Sequence, residues 1–120
     1  MRSAVEIQQS EESVNVLMVD DMITTAGTIA EAVKIVREHG ALDIYIAATH
    51  AVFAPPAMER LKDCPFTKLA VTDTIPIGNR ADPIKDRLVV LSVSELLGEA
   101  IHRIHHNESV SELFNEKRKP

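Results

Sequence analysis

Hydrophobic residues along the chain occur in short β-branched runs that alternate with stretches of helical periodicity. Residues 14–19 are almost continuously apolar, which is typical of a strand covered on both faces in a parallel sheet. Apolar residues then recur at helical spacing from Ile29 to Val36, ahead of a stop signal at Gly40. This part of the chain therefore predicts a strand, a polar turn and a helix.

The same alternation continues to the end of the chain. Three further strands are predicted, at residues 43–48, 67–72 and 87–91. A short helix that opens at Pro55 and Pro56 separates the first two, and a loop at residues 75–86 separates the last two. A second long helix follows, with Ser92 as its predicted N-cap and an apolar face that extends to Ile104. Alternating strands and helices predict an α/β fold with a mostly parallel sheet.

Length and charge narrow the class of protein. The 120 residues suit one domain, predicted at residues 14–114 between a polar lead-in at 1–13 and a disordered basic tail at 115–120. The net charge of −5 and the lack of a basic stripe argue against a nucleic-acid partner. No stretch approaches the roughly 18 apolar residues of a membrane span, so we expect no membrane partner and a cytoplasmic location. Cys64 is expected to be a small buried hydrophobe.

Polar residues gather where the first strand is predicted to end. Asp20 and Asp21 precede a turn that is rich in hydroxyl groups and lies against the start of a helix. A phosphate in that turn would receive backbone N–H groups, the positive end of the helix dipole and hydroxyl donors from Thr25 and Thr28. The two carboxylates would accept hydrogen bonds from sugar hydroxyls or hold Mg²⁺ through water. The segment predicts a sugar-phosphate site, with a strand-end Asp pair and a Thr-capped helix as the structural alternative.

Residues 19–28 resemble the phosphoribosyl-binding loop of type I phosphoribosyltransferase-fold proteins, whose pattern is Val-Asp-Asp-X-X-Asp-Thr-X-Gly-Thr. Four further segments resemble ribose-phosphate pyrophosphokinase in the same order, at residues 45–53, 71–76, 99–105 and 108–114. The resemblance covers the C-terminal part of that family's chain. It implies an α/β, three-layer, mostly parallel sheet with flanking helices, type I phosphoribosyltransferase-like but incomplete.

The resemblance also implies a reaction, in which the pyrophosphoryl group of Mg-ATP is transferred to ribose 5-phosphate to give phosphoribosyl pyrophosphate and AMP. Asp20 and Asp21 would contact the ribose hydroxyls and their Mg²⁺. The 5-phosphate would lie in the turn formed by Thr24, Thr25, Ala26, Gly27 and Thr28. Thr24 departs from the family, which usually has an acid at that position.

The family's N-terminal domain, its ATP-binding surface and its mobile loop with catalytic Lys and Arg have no counterpart in this sequence. No residue of the chain is therefore predicted to be catalytic, and the chain is predicted to be inactive alone. Exposed apolar surface would favour a homo-oligomer or association with a full-length synthetase. His50 and Asp73, at other strand ends, are candidates for a nucleotide or interface contact, with local hydrogen bonding as the alternative.

Alternative functions stay open. A non-catalytic, regulatory synthetase-associated subunit fits the missing parts equally well, whereas a nucleobase phosphoribosyltransferase fragment fits the loop but not the tail. A response-regulator receiver would need a phosphoacceptor Asp and a Lys after later strands, which are not suitably placed. His102, His105 and His106 share a helix side, where a solvated surface is favoured over a metal site. The charged residues 82–87 predict a solvated loop.

Overall fold

The computed structural model describes residues 4–6 and 14–115. In these stretches the elements are, in chain order, β1 (Ala4–Glu6), β2 (Val14–Ile23), α1 (Gly27–Glu38), β3 (Ala41–Ala51), α2 (Ala57–Lys62), β4 (Lys68–Thr72), a 3₁₀ helix (Asp82–Arg87), β5 (Leu88–Leu91), α3 (Ser94–His105) and α4 (Glu112–Asn115). The predicted alternation of strands and helices is confirmed. The predicted basic tail falls on residues 116–120, which lie outside the described residues.

The strands form one five-stranded sheet in the order β1-β2-β3-β4-β5. β2 to β5 pair in parallel, and β1 pairs antiparallel with β2 through Ala4 opposite Val19. The prediction of a mostly parallel sheet with flanking helices is therefore confirmed. β1 lies within the segment predicted as a polar lead-in, where the sequence shows no strand period.

One face of the sheet holds the apolar core. Alternate residues of β2, β3 and β4 are buried there beneath Ile29, Val33 and Val36 of α1 and Leu61 of α2. Each of β3, β4 and β5 lies beside the strand that precedes it, so right-handed crossovers place their connections on the same side of the sheet. Cys64 is buried in this core, as predicted, and burial raises the pKa of its thiol.

The opposite face of the sheet is apolar and exposed, and we call it the open face. Pairing places its residues in rows, because Val19 lies opposite Ala47, Ala47 opposite Ala70, and Ala70 opposite Val89. Its members are Leu17, Val19, Tyr45, Ala47, Ala70, Val89 and Leu91. The prediction that residues 14–19 are covered on both faces is wrong within the described residues, since Leu17 is 53% exposed and Val19 is 47% exposed. The incompleteness of the three-layer fold therefore lies on this face.

α3 also carries an exposed apolar side. None of its residues is buried, and Leu97, Ile101 and Ile104 are 55%, 68% and 65% exposed. The helix is tied to α4 by Arg103, which contacts Glu99 Oε1 at 3.0 Å and Glu112 Oε2 at 3.1 Å. The amphipathic pattern was correctly predicted, but its apolar side has no partner among the described residues.

One strand end and one helix cap that bear on the site differ from the prediction. β2 continues to Ile23, so Asp20 and Asp21 lie inside the strand rather than after it. The N-cap position of α3 is Val93, not the predicted Ser92. Ser92 Oγ accepts a hydrogen bond from the Ser94 amide at 3.2 Å, which orders the turn before the helix without capping it.

Arg87 corrects the prediction of a solvated loop at residues 82–87. Its guanidinium donates hydrogen bonds to four carbonyl oxygens at the end of α2 and in the following turn, those of Leu61, Lys62, Cys64 and Phe66, at 2.7 to 3.1 Å. It also lies 4.0 Å from the centre of the Phe66 ring. Helix ends leave carbonyls without intrahelical partners, and this side chain satisfies them from a distant part of the sequence.

Replacement of Arg87 by Met should lower the free energy of unfolding by about 2–3 kcal/mol, since several charge-assisted hydrogen bonds are lost together. Arg87→Lys should recover part of this, because one ammonium cannot reach all four carbonyls. Urea unfolding followed by circular dichroism measures both changes. The exposed Lys85, in the same 3₁₀ helix, supplies the control Lys85→Met, and equal stabilities of the two Met variants would contradict the assignment.

Candidate functional site

A small pocket of about 30 Å³ lies between the end of β2 and the start of α1. It is lined by Asp20, Met22, Ile23, Thr24, Thr25, Ala26, Gly27, Thr28 and Ile29. Six of the seven residues that the sequence predicts for the sugar-phosphate site are therefore brought together around one pocket. Asp21, the seventh, follows Asp20 directly on β2.

The turn at Ala26 leaves the first amides of α1 without a side-chain cap. Ala26 has a φ of 64°, in the left-handed region, and occupies the N-cap position with no side-chain hydrogen bond to the helix. This conformation costs a residue with a Cβ atom roughly 1 kcal/mol. The first turn of α1 holds no acidic residue, so no carboxylate of its own offsets the positive end of the helix dipole. The Thr cap of the structural alternative is not observed. An uncapped helix start without a nearby carboxylate in its first turn suits an anion.

The far side of the turn is fixed by the segment that follows β3. Ile23 O accepts hydrogen bonds from the Val52 and Phe53 amides at 3.1 Å each, Thr24 O from the Ala54 amide at 2.9 Å, and Thr25 O from Arg60 Nη1 at 3.0 Å. Three successive carbonyls are thus held on one side. The 52–60 segment contributes no residue to the lining of this pocket, whereas Arg60 lines an adjacent, more open cavity together with Gly27 and Thr28.

Asp20 and Asp21 place two carboxyl groups beside the pocket. Asp20 is buried, with 8% of its surface exposed, whereas Asp21 is exposed. Asp20 Oδ1 accepts a hydrogen bond from the Asp21 amide, and Asp21 Oδ1 accepts one from the Met22 amide, both at 2.8 Å. The pKa of Asp21 lies below its ordinary value, first because of a hydrogen bond with the Asp20 side chain and then because of backbone amides.

His50 and Asp73 both hold local contacts at the same edge of the sheet. His50 lies opposite Met22 in the pairing of β2 with β3, and its Nδ1 is 2.8 Å from Thr74 Oγ1. Asp73 Oδ1 accepts a hydrogen bond from the Val93 amide at 2.8 Å. This bond, with a second from the Ser92 side chain, lowers the pKa of Asp73. The structure brings His50 beside the pocket and uses Asp73 to attach the start of α3.

The histidines of α3 lie away from this site. The rings of His102 and His106 have centres 4.2 Å apart, and His106 Nδ1 is 2.8 Å from the His102 carbonyl oxygen. Across residues 14–115, no group of three or more His, Cys, Asp and Glu side chains is arranged to hold a metal ion. The Asp20–Asp21 pair offers two carboxyl groups, which is fewer than such a group requires.

Arg60 and Arg80 shape the site and were not predicted from the sequence. Arg60 reaches the turn from α2, and a Cβ atom added to Gly27 would lie 2.9 Å from its Nη1. Arg80 donates to the Val52, Pro76 and Ile77 carbonyl oxygens and so joins the loop after β4 to the end of β3. Both contacts depend on the docking of distant segments, so no local pattern indicates them.

A parallel α/β sheet with an uncapped helix start and an acidic pair near the carboxyl end of one strand has the layout of a phosphoribosyltransferase-type domain, in which the ligand site lies at the carboxyl ends of the strands. Comparison with known families agrees with this class. A sequence model of the phosphoribosyl synthetase-associated domain matches residues 11–115, and the chain belongs to that family. The predicted resemblance to ribose-phosphate pyrophosphokinase, a family of transferases, is thereby confirmed.

Individual relatives agree in sequence and in fold. The ribose-phosphate pyrophosphokinase of Rhodopirellula baltica is 52% identical over 101 residues, which cover 84% of this chain and 31% of the relative. That of a Nostoc species is 54% identical over 101 residues, covering 82% and 29%. The crystal structure of phosphoribosylpyrophosphate synthetase from Mycobacterium smegmatis has a TM-score of 0.72 and 39% identity, covering 86% of this chain and 37% of that one. The chain thus spans less than a third of the curated relatives' length. None of its described helices has the length and hydropathy to cross a membrane.

Asp73 should stabilise the fold in its charged form. Because its pKa is lowered in the folded chain, its contribution is present above the ordinary Asp pKa of 3.8 and is lost as the pH falls through the folded-state value. Thermal melts at pH 7 should therefore show a lower Tm for Asp73→Asn than for the wild type. The gap should narrow as the pH falls below 3.8 and through the folded-state pKa of Asp73, where its side chain becomes neutral like that of Asn. The exposed Asp86 supplies the control Asp86→Asn, and a gap that persists unchanged at acidic pH would contradict the role of Asp73.

Proposed function

We propose that the chain is the ribose 5-phosphate-binding part of a ribose-phosphate pyrophosphokinase. The observation that carries this proposal is the uncapped, left-handed turn at Ala26 beside two adjacent carboxyl groups. The uncapped helix start and the Asp20 carboxyl group share one pocket, and Asp21 follows Asp20 on β2. An anion-binding turn next to acceptors for hydroxyl groups would suit the two ends of a sugar phosphate. The names of the relatives agree with this substrate class.

At the phosphate end, the donors are backbone amides and hydroxyls. The first amides of α1 have no side-chain cap, and Thr24, Thr25 and Thr28 line the same pocket. Amides fixed at a helix start stabilise an anion without reorganising, which makes them effective donors. Thr24 supplies a neutral hydroxyl at the position where the family usually carries an acid, and this reduces the charge repulsion that a phosphate would meet.

At the sugar end, Asp20 and Asp21 are the acceptors for the ribose hydroxyls. The same pair fits Mg²⁺ by its donor chemistry, since the ion is commonly bound by one or two carboxylates together with water and substrate oxygens. A bound Mg²⁺ would neutralise negative charge between the carboxylates and the substrate. Asp20 and Asp21 would therefore orient the ribose ring while the turn holds the phosphate.

The complete reaction requires groups that the described residues do not place at the pocket. Transfer of a pyrophosphoryl group from ATP depends on cations that stabilise the transferring phosphates. Among residues 14–115, Arg60 donates a hydrogen bond to Thr25 O of the turn, but its side chain does not line the pocket. We therefore propose that the isolated chain binds ribose 5-phosphate but does not form AMP. The cytoplasmic location and the lack of nucleic-acid and membrane partners stay predictions.

A titration with ribose 5-phosphate, followed by two-dimensional amide NMR, tests the site. Saturable shifts should appear at residues 20–28. Thr28→Val should weaken binding by about tenfold, the effect of one lost hydrogen bond to a charged group. Asp21→Asn should lower the affinity for ribose 5-phosphate but leave the affinity for inorganic phosphate unchanged, because we place Asp21 at the sugar end. Asp86→Asn is the control that removes the same charge elsewhere.

The outcomes separate the candidate functions. Equal affinities for inorganic phosphate and ribose 5-phosphate would show that the pocket binds the phosphate group without recognising the sugar. A dispersed spectrum without shifts would favour the second candidate, a non-catalytic regulatory subunit of a synthetase. That candidate is supported by the open face and by the exposed apolar side of α3, which offer surface to a partner.

We further propose that the isolated chain self-associates through the open face. Leu17, on that face, and Ile35, on the outer side of α1, are 53% and 54% exposed. Leu17→Lys should lower the sedimentation coefficient to that of a monomer, whereas Ile35→Lys should leave it unchanged. A wild-type chain that sediments as a monomer at all concentrations would contradict self-association and leave a full-length synthetase as the partner to test by co-purification.

A further inference from the structure

Arg60 makes a contact that the proposed binding groups do not include. It lies on α2, and its Nη1 donates a hydrogen bond to Thr25 O, 35 positions earlier in the sequence, at 3.0 Å. Thr25 O is the last of the three successive turn carbonyls that the 52–60 segment holds. The two before it accept from backbone amides, so Arg60 is the side chain in this set.

The contact has a geometric consequence for the neighbouring amide. A trans peptide is planar, and its C=O and N–H groups point in opposite directions. Holding Thr25 O towards α2 therefore turns the Ala26 N–H away from α2. Asp20 and residues 22–29, Ala26 among them, line the pocket, and α2 contributes none of the lining. We infer that the Ala26 N–H faces this pocket.

The same guanidinium lies close to the next residue of the turn. A Cβ atom at Gly27 would lie 2.9 Å from Arg60 Nη1 and 3.5 Å from Arg60 Cζ. A side chain at Gly27 would therefore displace the guanidinium, which is the flexible end of an exposed residue. Gly27 has no positive φ, so the contact with Arg60 is the constraint that the structure places on this position.

We propose that Arg60 is a positioning residue for the phosphate turn, one that orients the Ala26 amide and supports the left-handed conformation at Ala26. Its role is indirect, because the side chain contacts a backbone carbonyl and does not line the pocket. This inference rests on the proposed ribose 5-phosphate site and deepens it. It also makes α2 part of the binding machinery, although α2 contributes no residue to the pocket.

The test compares four single variants and one double variant of the full chain with the wild type. Arg60→Met removes the contact, Arg60→Lys keeps a charge and one donor, and Gly27→Ala displaces the guanidinium while leaving Arg60 in place. Lys62→Met is the matched control, since it removes the same charge from the exposed surface of the same helix. Each chain is examined by amide NMR without ligand and is then titrated with inorganic phosphate and with ribose 5-phosphate.

We expect Arg60→Met to change the amide chemical shifts of Thr25, Ala26 and Gly27 in the free chain. It should also lower the affinity for both ligands by about tenfold. Arg60→Lys should recover part of the affinity, and Lys62→Met should match the wild type. Gly27→Ala should shift the same amides, and the double variant Gly27→Ala, Arg60→Met should show less than the sum of the two effects, because both act on one contact.

Two results would overturn the inference. One is an Arg60→Met chain whose turn amides match those of Lys62→Met. The other is full additivity of Gly27→Ala and Arg60→Met. If Arg60→Met does not fold, Gly27→Ala and Arg60→Lys decide the question. If the wild-type chain binds no ribose 5-phosphate, the proposed function fails, whereas the positioning role is still decided by the amides of the free chain.

Discussion

The shape of the turn between β2 and α1 depends on the hydrogen bonds that hold its carbonyls. Ile23, Thr24 and Thr25 direct their carbonyl oxygens to the segment after β3, and Ala26 begins α1 without a side-chain cap. Backbone carbonyls need hydrogen-bond partners, and the segment after β3 supplies them to these three. The first amides of α1, by contrast, have no side-chain cap. The parallel pairing of β2 with β3 brings the two segments together, so the sheet builds the site.

The strand order has a second effect, on the surface of the molecule. Neighbouring strands joined by right-handed connections place α1 and α2 on the same face, and the apolar residues of the other face remain exposed. A chain that spans less than a third of its curated relatives can thus form a core and an uncapped turn on one side, while the apolar residues on the other side stay exposed among the described residues. The packing that shapes the turn does not depend on cover for the open face.

The sequence predicted what depends on local pattern. The strand at residues 14–19, the helix that ends before Gly40 and the grouping of Asp20 with Thr25 to Thr28 all follow from periodicity and residue type. It did not predict Arg87 as the cap of α2 or Arg60 as the partner of the turn, because both act on residues more than 20 positions away. Ser92 was wrong as the N-cap because α3 begins one residue later, and Asp73, from the turn after β4, binds the Val93 amide at that start, a contact that no local pattern indicates.

The antiparallel strand β1 closes one margin of the sheet. Its three residues pair with Leu17, Met18 and Val19 of β2, so the backbone of the strand that carries the acidic pair is sheltered from outside chains. At the other margin β5 has four residues, and its Val90 is 48% exposed. β1 presents an outer edge of its own, so both margins of the sheet are short, three residues at β1 and four at β5. A foreign strand would find few backbone groups to pair with at either margin, and at β5 it would add to the sheet away from the turn between β2 and α1.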